Sequence, residues 1–169
     1  MPESRSEDYQ VASRGTRGES AGGPVMLAQS TFRRSEEAVA LAIERAADAG
    51  ELIVVKVIDV NLARYLIGAD LGLHPDIKDK VESEMLAEHE AQGRAFAEEV
   101  VERARRRGIG ARVVLRRGRF ALVVLEIARE VGPRVIVTTR SRRPEWVKRF
   151  FGSPVSELIA SASCPVLEA

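Results

Sequence analysis

The chain has 169 residues, a length that leaves room for one domain and a short extension and excludes a multi-domain assembly. Hydrophobic residues make up 45% and charged residues 30%, which is globular composition and excludes a wholly disordered chain. Lys and Arg number 26 against 25 for Asp and Glu, a net charge of +1, so no global field draws in nucleic acid or an acidic membrane, and electrostatic binding has to be local.

Residues 1–23 are rich in Ser, Gly, Arg and Glu and end in Ala21-Gly22-Gly23-Pro24. Without apolar periodicity they cannot offset the entropy of ordering, and they read as a flexible tail ahead of a domain over 24–169. The opening MPESRSEDYQ is not a secretory signal. Val25 to Ala28 is a short apolar run suited to a buried strand, followed by a polar loop from Gln29 to Arg34. Ser35 sits as an N-cap before Glu36 and Glu37, Ala38, Leu41, Ala42 and Ala46 recur at helical spacing, and Gly50 closes the helix. Leu52 to Val60 reads as a second strand, interrupted by Lys56 and Asp59.

The stretch from Asn61 to Pro75 contains Gly68 and Gly72 and reads as a long irregular loop. A helix of about 30 residues is expected from Asp76 to Arg107, with Ile77, Val81, Met85, Phe96 and Val100 on one stripe. Acids concentrate in its early part and arginines at its end, which complements the helix dipole. Gly108 and Gly110 terminate it, Ala111 to Arg116 forms a third strand, and Phe120 to Val131 a third helix stopped by Pro133. Arg134 to Thr138 is a fourth strand, Val155 to Ser163 a fourth helix, and Pro165 to Glu168 a fifth strand.

Strict alternation of strands and helices demands parallel strands with right-handed crossovers, hence a doubly wound α/β fold with a five-stranded parallel sheet and helices on both faces. Such sheets bind ligands beyond the carboxyl ends of the strands, where strand order reverses. That directs attention to the loops after Leu27, Val57 and Val137.

The loop after the fourth strand, from Thr139 to Pro154, holds five basic residues and one acid. A helix beginning near Gly152-Ser153 presents free N–H groups and a positive dipole end to an anion, with the Ser153 hydroxyl as a ligand or as an N-cap.

These segments together resemble the universal stress protein family. The resemblance covers residues 24–169 and rests on Val54-Val55-Lys56-Val57-Ile58-Asp59, on Gly118 after the third strand, and above all on the ending: Val135-Ile136-Val137, a basic loop, Gly152-Ser153, a helix, then Cys164-Pro165-Val166-Leu167. Nucleotide-binding members of that family carry a glycine, two residues, a second glycine, nine residues, then glycine and serine or threonine. Here the two earlier glycine positions hold Thr139 and Arg142, and the aspartate expected at the end of the first strand is replaced by Ser30. Val57 matches the family's apolar contact to the base. Side chains at the glycine positions restrict the backbone and fill space near the phosphates. The resemblance therefore implies a regulatory or binding module of the stress response with a degenerate nucleotide site, whose ligand residues are drawn from Ser30, Val57, Thr139, Arg140, Arg142, Gly152 and Ser153.

No cofactor is required on this reading. An adenine nucleotide, phosphate or another anion remains the alternative ligand, since Arg140, Arg142 and Arg143 offer guanidinium forks in place of a glycine cradle; this second reading is an ATP-binding member with slow hydrolysis. A third is a nucleic-acid-associated protein, suggested by the eight arginines and no acid between Arg103 and Arg119, and opposed by the scarcity of stacking aromatics and the acidic helix upstream. No nucleophile with a base, paired carboxylates or phosphate loop is present, so no enzyme activity and no catalytic residue are expected. His74-Pro75-Asp76 reads as a helix start and cap, and His74, Asp76 and His89 are too scattered for a metal site. The lone Cys164 reads as a small buried hydrophobe in a reducing, cytoplasmic setting, and no apolar run is long enough to span a membrane. The family resemblance implies a homodimer formed through Pro165 to Glu168, which also covers an exposed sheet edge.

Overall fold

The computed structural model describes residues 22–60, 75–141, 146 and 153–169. The reading of 1–21 as a tail, the loop from Asn61 to His74, and Arg142, Arg143 and Gly152 lie outside these residues. Among these residues, five strands, β1 (Val25–Ser30), β2 (Glu51–Ile58), β3 (Gly110–Arg117), β4 (Val135–Thr138) and β5 (Val166–Glu168), alternate with the helices α1 (Glu36–Ala49), α2 (Pro75–Arg105), α3 (Phe120–Val131) and α4 (Pro154–Ser161). All pairings are parallel, in the spatial order β3-β2-β1-β4-β5. Strand order reverses at β1, from which β2 and β3 run to one side and β4 and β5 to the other.

Strand alternation sorts the core into two layers. Val25, Leu27, Leu52, Val54, Val135 and Val137 pack with α1 and α2 residues such as Leu41 and Val100. Met26, Ala28, Ile53, Val55 and Ile136 face α3 and α4, represented by Val124 and Leu158. Both faces of the sheet are covered, which is why β1 and β4 read as unbroken apolar runs.

Local signals account for the helix ends. Ser35 accepts from Ala38 N–H, and Gly50 closes α1 at φ 75°, a left-handed conformation that a side chain disfavours. Helix α3 occupies the expected Phe120–Val131, closed by Gly132 ahead of Pro133.

The differences are physical. β1 runs through Gln29 and Ser30 rather than yielding to a loop at Gln29, because Gln29 and Ser30 continue the register against Lys56 and Val57 of β2. β2 stops at Ile58. Ile77 is 51% exposed and not part of the buried stripe, whereas Phe96 and Val100 are buried; the amino-terminal part of α2 overhangs the sheet that its later turns cover. Asp76 lies in the first turn of α2, which starts at Pro75, so it is not the cap. Helix α4 starts one residue early at Pro154 and ends at Ser161, with Ala162 already extended.

Candidate functional site

The crevice at the reversal point is built by backbone hydrogen bonds that lead the chain in opposite directions. β1 and β4 are neighbours in register up to Ala28 and Thr138. Beyond β1, Thr31 N–H donates to Val57 O at 3.0 Å, keeping this segment on the β2 side. Beyond β4, Arg140 N–H donates to Ala169 O at 2.9 Å and Ser141 N–H to Glu168 Oε1 at 3.2 Å, drawing that segment to the β5 side. The divergence opens the space that parallel α/β sheets use for ligands.

Under this opening lies a buried polar chain. Gln29 and Lys56 follow Leu27 and Val54 on the α1/α2 face, and each is only 1% exposed. Lys56 Nζ donates to Gln29 Oε1 at 2.9 Å. Gln29 Nε2 donates onward to Ser35 O at 3.1 Å and to Thr139 Oγ1 at 3.2 Å. One amide thus ties β1 to β2, to the entry of α1 and to the end of β4. The Phe96 ring of α2 closes over Lys56, with Nζ 4.2 Å from the ring centroid, and the same ring carries Arg34, its Cζ at 5.1 Å. Burial lowers the Lys56 pKa to about 7; the neighbouring Arg34 charge acts in the same sense and Glu36 opposes it.

Among the residues the sequence singles out, Ser30 and Val57 stand opposite each other in register. Ser30 Oγ accepts from Phe32 N–H at 3.2 Å, a local turn bond. Val57 is fully buried in the α3/α4 core layer. Thr139 reaches this group through Gln29. Arg140 is exposed. Ser153 caps α4, its Oγ accepting from Ser156 N–H at 2.9 Å. That cap reduces the anion site expected there: Pro154 has no N–H, Ser156 N–H is occupied, and Glu157 N–H closes the first helical turn on Ser153 O. Glu157 also adds a carboxylate to that turn.

Sequence reasoning passed over Gln29 and Lys56. Two long polar residues at the last inward-facing positions of apolar strands were the available signal, since such groups stay buried only when they satisfy each other. It weighed Thr31, beside Ser30, only as a nucleophile without a neighbouring His, and it assigned Ser141 no role. Their hydroxyl oxygens are shielded from water and without a hydrogen-bond partner, each three residues beyond the paired Ala28 and Thr138.

The basic run is largely tied up on the surface. Arg103 pairs with Glu36 at 2.8 Å, Arg112 with Glu51 at 3.8 Å, Arg116 with Glu130 at 2.8 Å, Arg117 with Glu90 at 2.6 Å and Arg119 with Glu157 at 3.3 Å. Among the described residues no group of three His, Cys, Asp or Glu stands ready for a metal ion, and no helix is long and apolar enough to cross a membrane. Cys164 is half-buried against the α3/α4 layer, and burial pushes its thiol pKa up, which disfavours the reactive thiolate.

The model of the universal stress protein family matches residues 23–167. A search of curated proteins finds no match. Solved structures of similar fold include the universal stress protein UspA from Lactobacillus plantarum, 19% identical, covering 87% of this chain and 97% of that one with a TM-score of 0.61. A universal stress protein family member from Burkholderia pseudomallei is 25% identical over 89% of this chain and 98% of that one, TM-score 0.57. A universal stress protein solved in complex with cAMP is 16% identical over 88% and 98%, TM-score 0.58. With the family model spanning nearly the whole described domain and a five-stranded parallel sheet of the same fold, the chain belongs to the universal stress protein family.

Proposed function

We propose that this universal stress protein acts as a regulatory or binding module whose crevice does not hold ATP efficiently and performs no chemistry on what it holds. The observation that carries this reading is the use made of the two hydroxyls at nucleotide-anchor positions. Ser30 Oγ accepts from Phe32 N–H and Ser153 Oγ from Ser156 N–H, so each hydroxyl is oriented by its own turn and keeps its O–H alone for a ligand, and no carboxylate ends β1. The arginine–glutamate pairs along the basic run support this reading over a nucleic-acid surface, because a guanidinium already bridged to a carboxylate gains less from phosphate.

Equilibrium titration with ATP, AMP, cAMP and inorganic phosphate tests the proposal; cAMP is included because a relative of the same fold was solved with it. ATP binding weaker than about millimolar is expected, which corresponds to roughly 4 kcal/mol of binding free energy. Micromolar ATP affinity abolished by Gly152→Asp overturns it and establishes the alternative in which arginines replace the glycine cradle. Phosphate release lost on changing Arg140 or Arg142 adds slow hydrolysis to that alternative.

The partner in this reading is a second copy of the chain. β5 is three residues long and pairs with β4 on one side, ending the sheet with an edge that a two-fold related β5 can cover. Sedimentation equilibrium giving a dimer mass supports it, and a monomer mass at high protein concentration removes it.

A further inference from the structure

Two cations share one aromatic ring in this molecule. Lys56 Nζ and Arg34 Cζ lie 4.2 and 5.1 Å from the centroid of Phe96. Arg34 is exposed to water, whereas Lys56 is buried and its amine can give up its proton. An ammonium carries three N–H donors, and among the described residues Lys56 has one hydrogen-bond acceptor, Gln29 Oε1 at 2.9 Å. A neutral amine fits this enclosure; a charged one is pressed by desolvation and by Arg34 toward water.

We propose that Lys56 is an acid-sensitive strut: uncharged, it lets Phe96 seat α2 over the carboxyl ends of β1 and β2, and protonated, it opens the corner formed by Phe96, Arg34 and the entry of α1. The change is a simple protonation, Nζ taking one proton from solvent. The groups facing it from each packed element are Gln29 on β1, Arg34 and Glu36 at the start of α1, and Phe96 on α2; β3 offers the uncharged Leu115 in register. Glu36 restrains the effect, but it is itself paired with Arg103. Opening reaches the crevice because Gln29, which accepts from Lys56, also holds Thr139 and the Ser35 carbonyl. The device does not depend on which ligand the crevice takes.

The chain has four lysines, Lys56, Lys78, Lys80 and Lys148, so carbon and nitrogen resonances of labelled lysine side chains resolve Lys56 by comparison with Lys56→Met. Its resonance is expected to titrate near neutrality, where burial places its pKa at about 7. Amide exchange in 28–36 and 92–98, corrected for intrinsic rates, is expected to rise by up to about tenfold for each pH unit of acidification between the ordinary lysine value of 10.5 and the Lys56 midpoint at about 7, and to level off below it. Arg34→Gln moves the midpoint upward, by removing the second cation from the ring. Lys56 titrating with the other lysines, or acid-dependent exchange in those segments that persists unchanged in Lys56→Met, overturns the proposal. Should Lys56→Met fail to fold, the wild-type titration and the Arg34→Gln shift decide it alone.

Discussion

Lys56 donates to Gln29 across the β1–β2 pair at 2.9 Å, and both side chains are closed off from water. The partnership is lopsided, since Gln29 has further partners in Ser35 O and Thr139 Oγ1, while among the described residues Lys56 has this acceptor and the Phe96 ring. Gln29→Leu therefore leaves the buried Lys56 amino group without this acceptor; the Ser35 carbonyl is less affected because it also accepts from Val39 N–H. A loss of about 2–3 kcal/mol is expected in urea unfolding near neutral pH. The double variant Gln29→Leu with Lys56→Met recovers most of it, as replacing both partners by apolar groups leaves no buried donor unsatisfied. A double variant as unstable as Gln29→Leu alone refutes this account.

The sign of the pH dependence follows from the direction of the Lys56 shift. Its pKa falls from the ordinary 10.5 to about 7 on folding, so between these values the unfolded chain holds a proton that the folded chain has released. Stability then rises with pH across that window, and below it both states are protonated and the fold bears the whole cost of the buried cation. Wild type is expected to gain about 2 kcal/mol between pH 7 and about pH 9 relative to Lys56→Met. Cys164 acts in the opposite sense near its ordinary value of 9.0, because burial keeps its thiol protonated in the fold; the difference between the two proteins cancels it. Parallel stability profiles for wild type and Lys56→Met contradict the assignment.

Much of this fold is legible residue by residue. Ser35, Gly50 and Gly132 mark helix ends by chemistry that acts within one turn, and the apolar runs of β1, β2 and β4 declare a sheet buried on both faces. Gln29 and Ser30 resist reading because their place in β1 comes from pairing with Lys56 and Val57, residues 27 positions further along the chain. The polar floor was hidden for the same reason: each of its members looks like a misplaced surface residue until tertiary contact joins them. Ser153 shows the opposite failing. As a sequence feature it served equally as ligand or cap, and the geometry of α4 commits its oxygen to Ser156 N–H.

Gly93 lies inside α2 where Ala would ordinarily add about 1 kcal/mol of helix stability. Here a Cβ would stand 2.6 Å from Thr31 Cγ2, a methyl group fixed on a buried, β-branched side chain. Gly93→Ala is expected to destabilise by about 1–3 kcal/mol instead, through a forced shift of α2 away from the end of β1. Thr31→Ser removes that methyl and keeps the hydroxyl, so Gly93→Ala combined with Thr31→Ser regains stability relative to Gly93→Ala alone. A double-mutant cycle by chemical denaturation measures the coupling; additive effects disprove the close approach.

The cap and ligand roles of Ser153 are separable by substitution. Ser153→Ala removes the acceptor for Ser156 N–H and is expected to cost about 1 kcal/mol. Aspartate is an equally good N-cap and favours the positive end of the helix dipole, so Ser153→Asp restores that stability. The same carboxylate, beside Glu157 of the first turn, repels any phosphate approaching α4. Thermal unfolding of the three proteins, followed with and without phosphate or AMP, reads both roles at once. If Ser153 serves the helix alone, Ser153→Asp matches wild type and neither ligand shifts its unfolding differently. If phosphate stabilises wild type and Ser153→Ala but not Ser153→Asp, an anion sits at this helix terminus and the crevice is less fully spent on its own structure than its hydrogen bonds indicate.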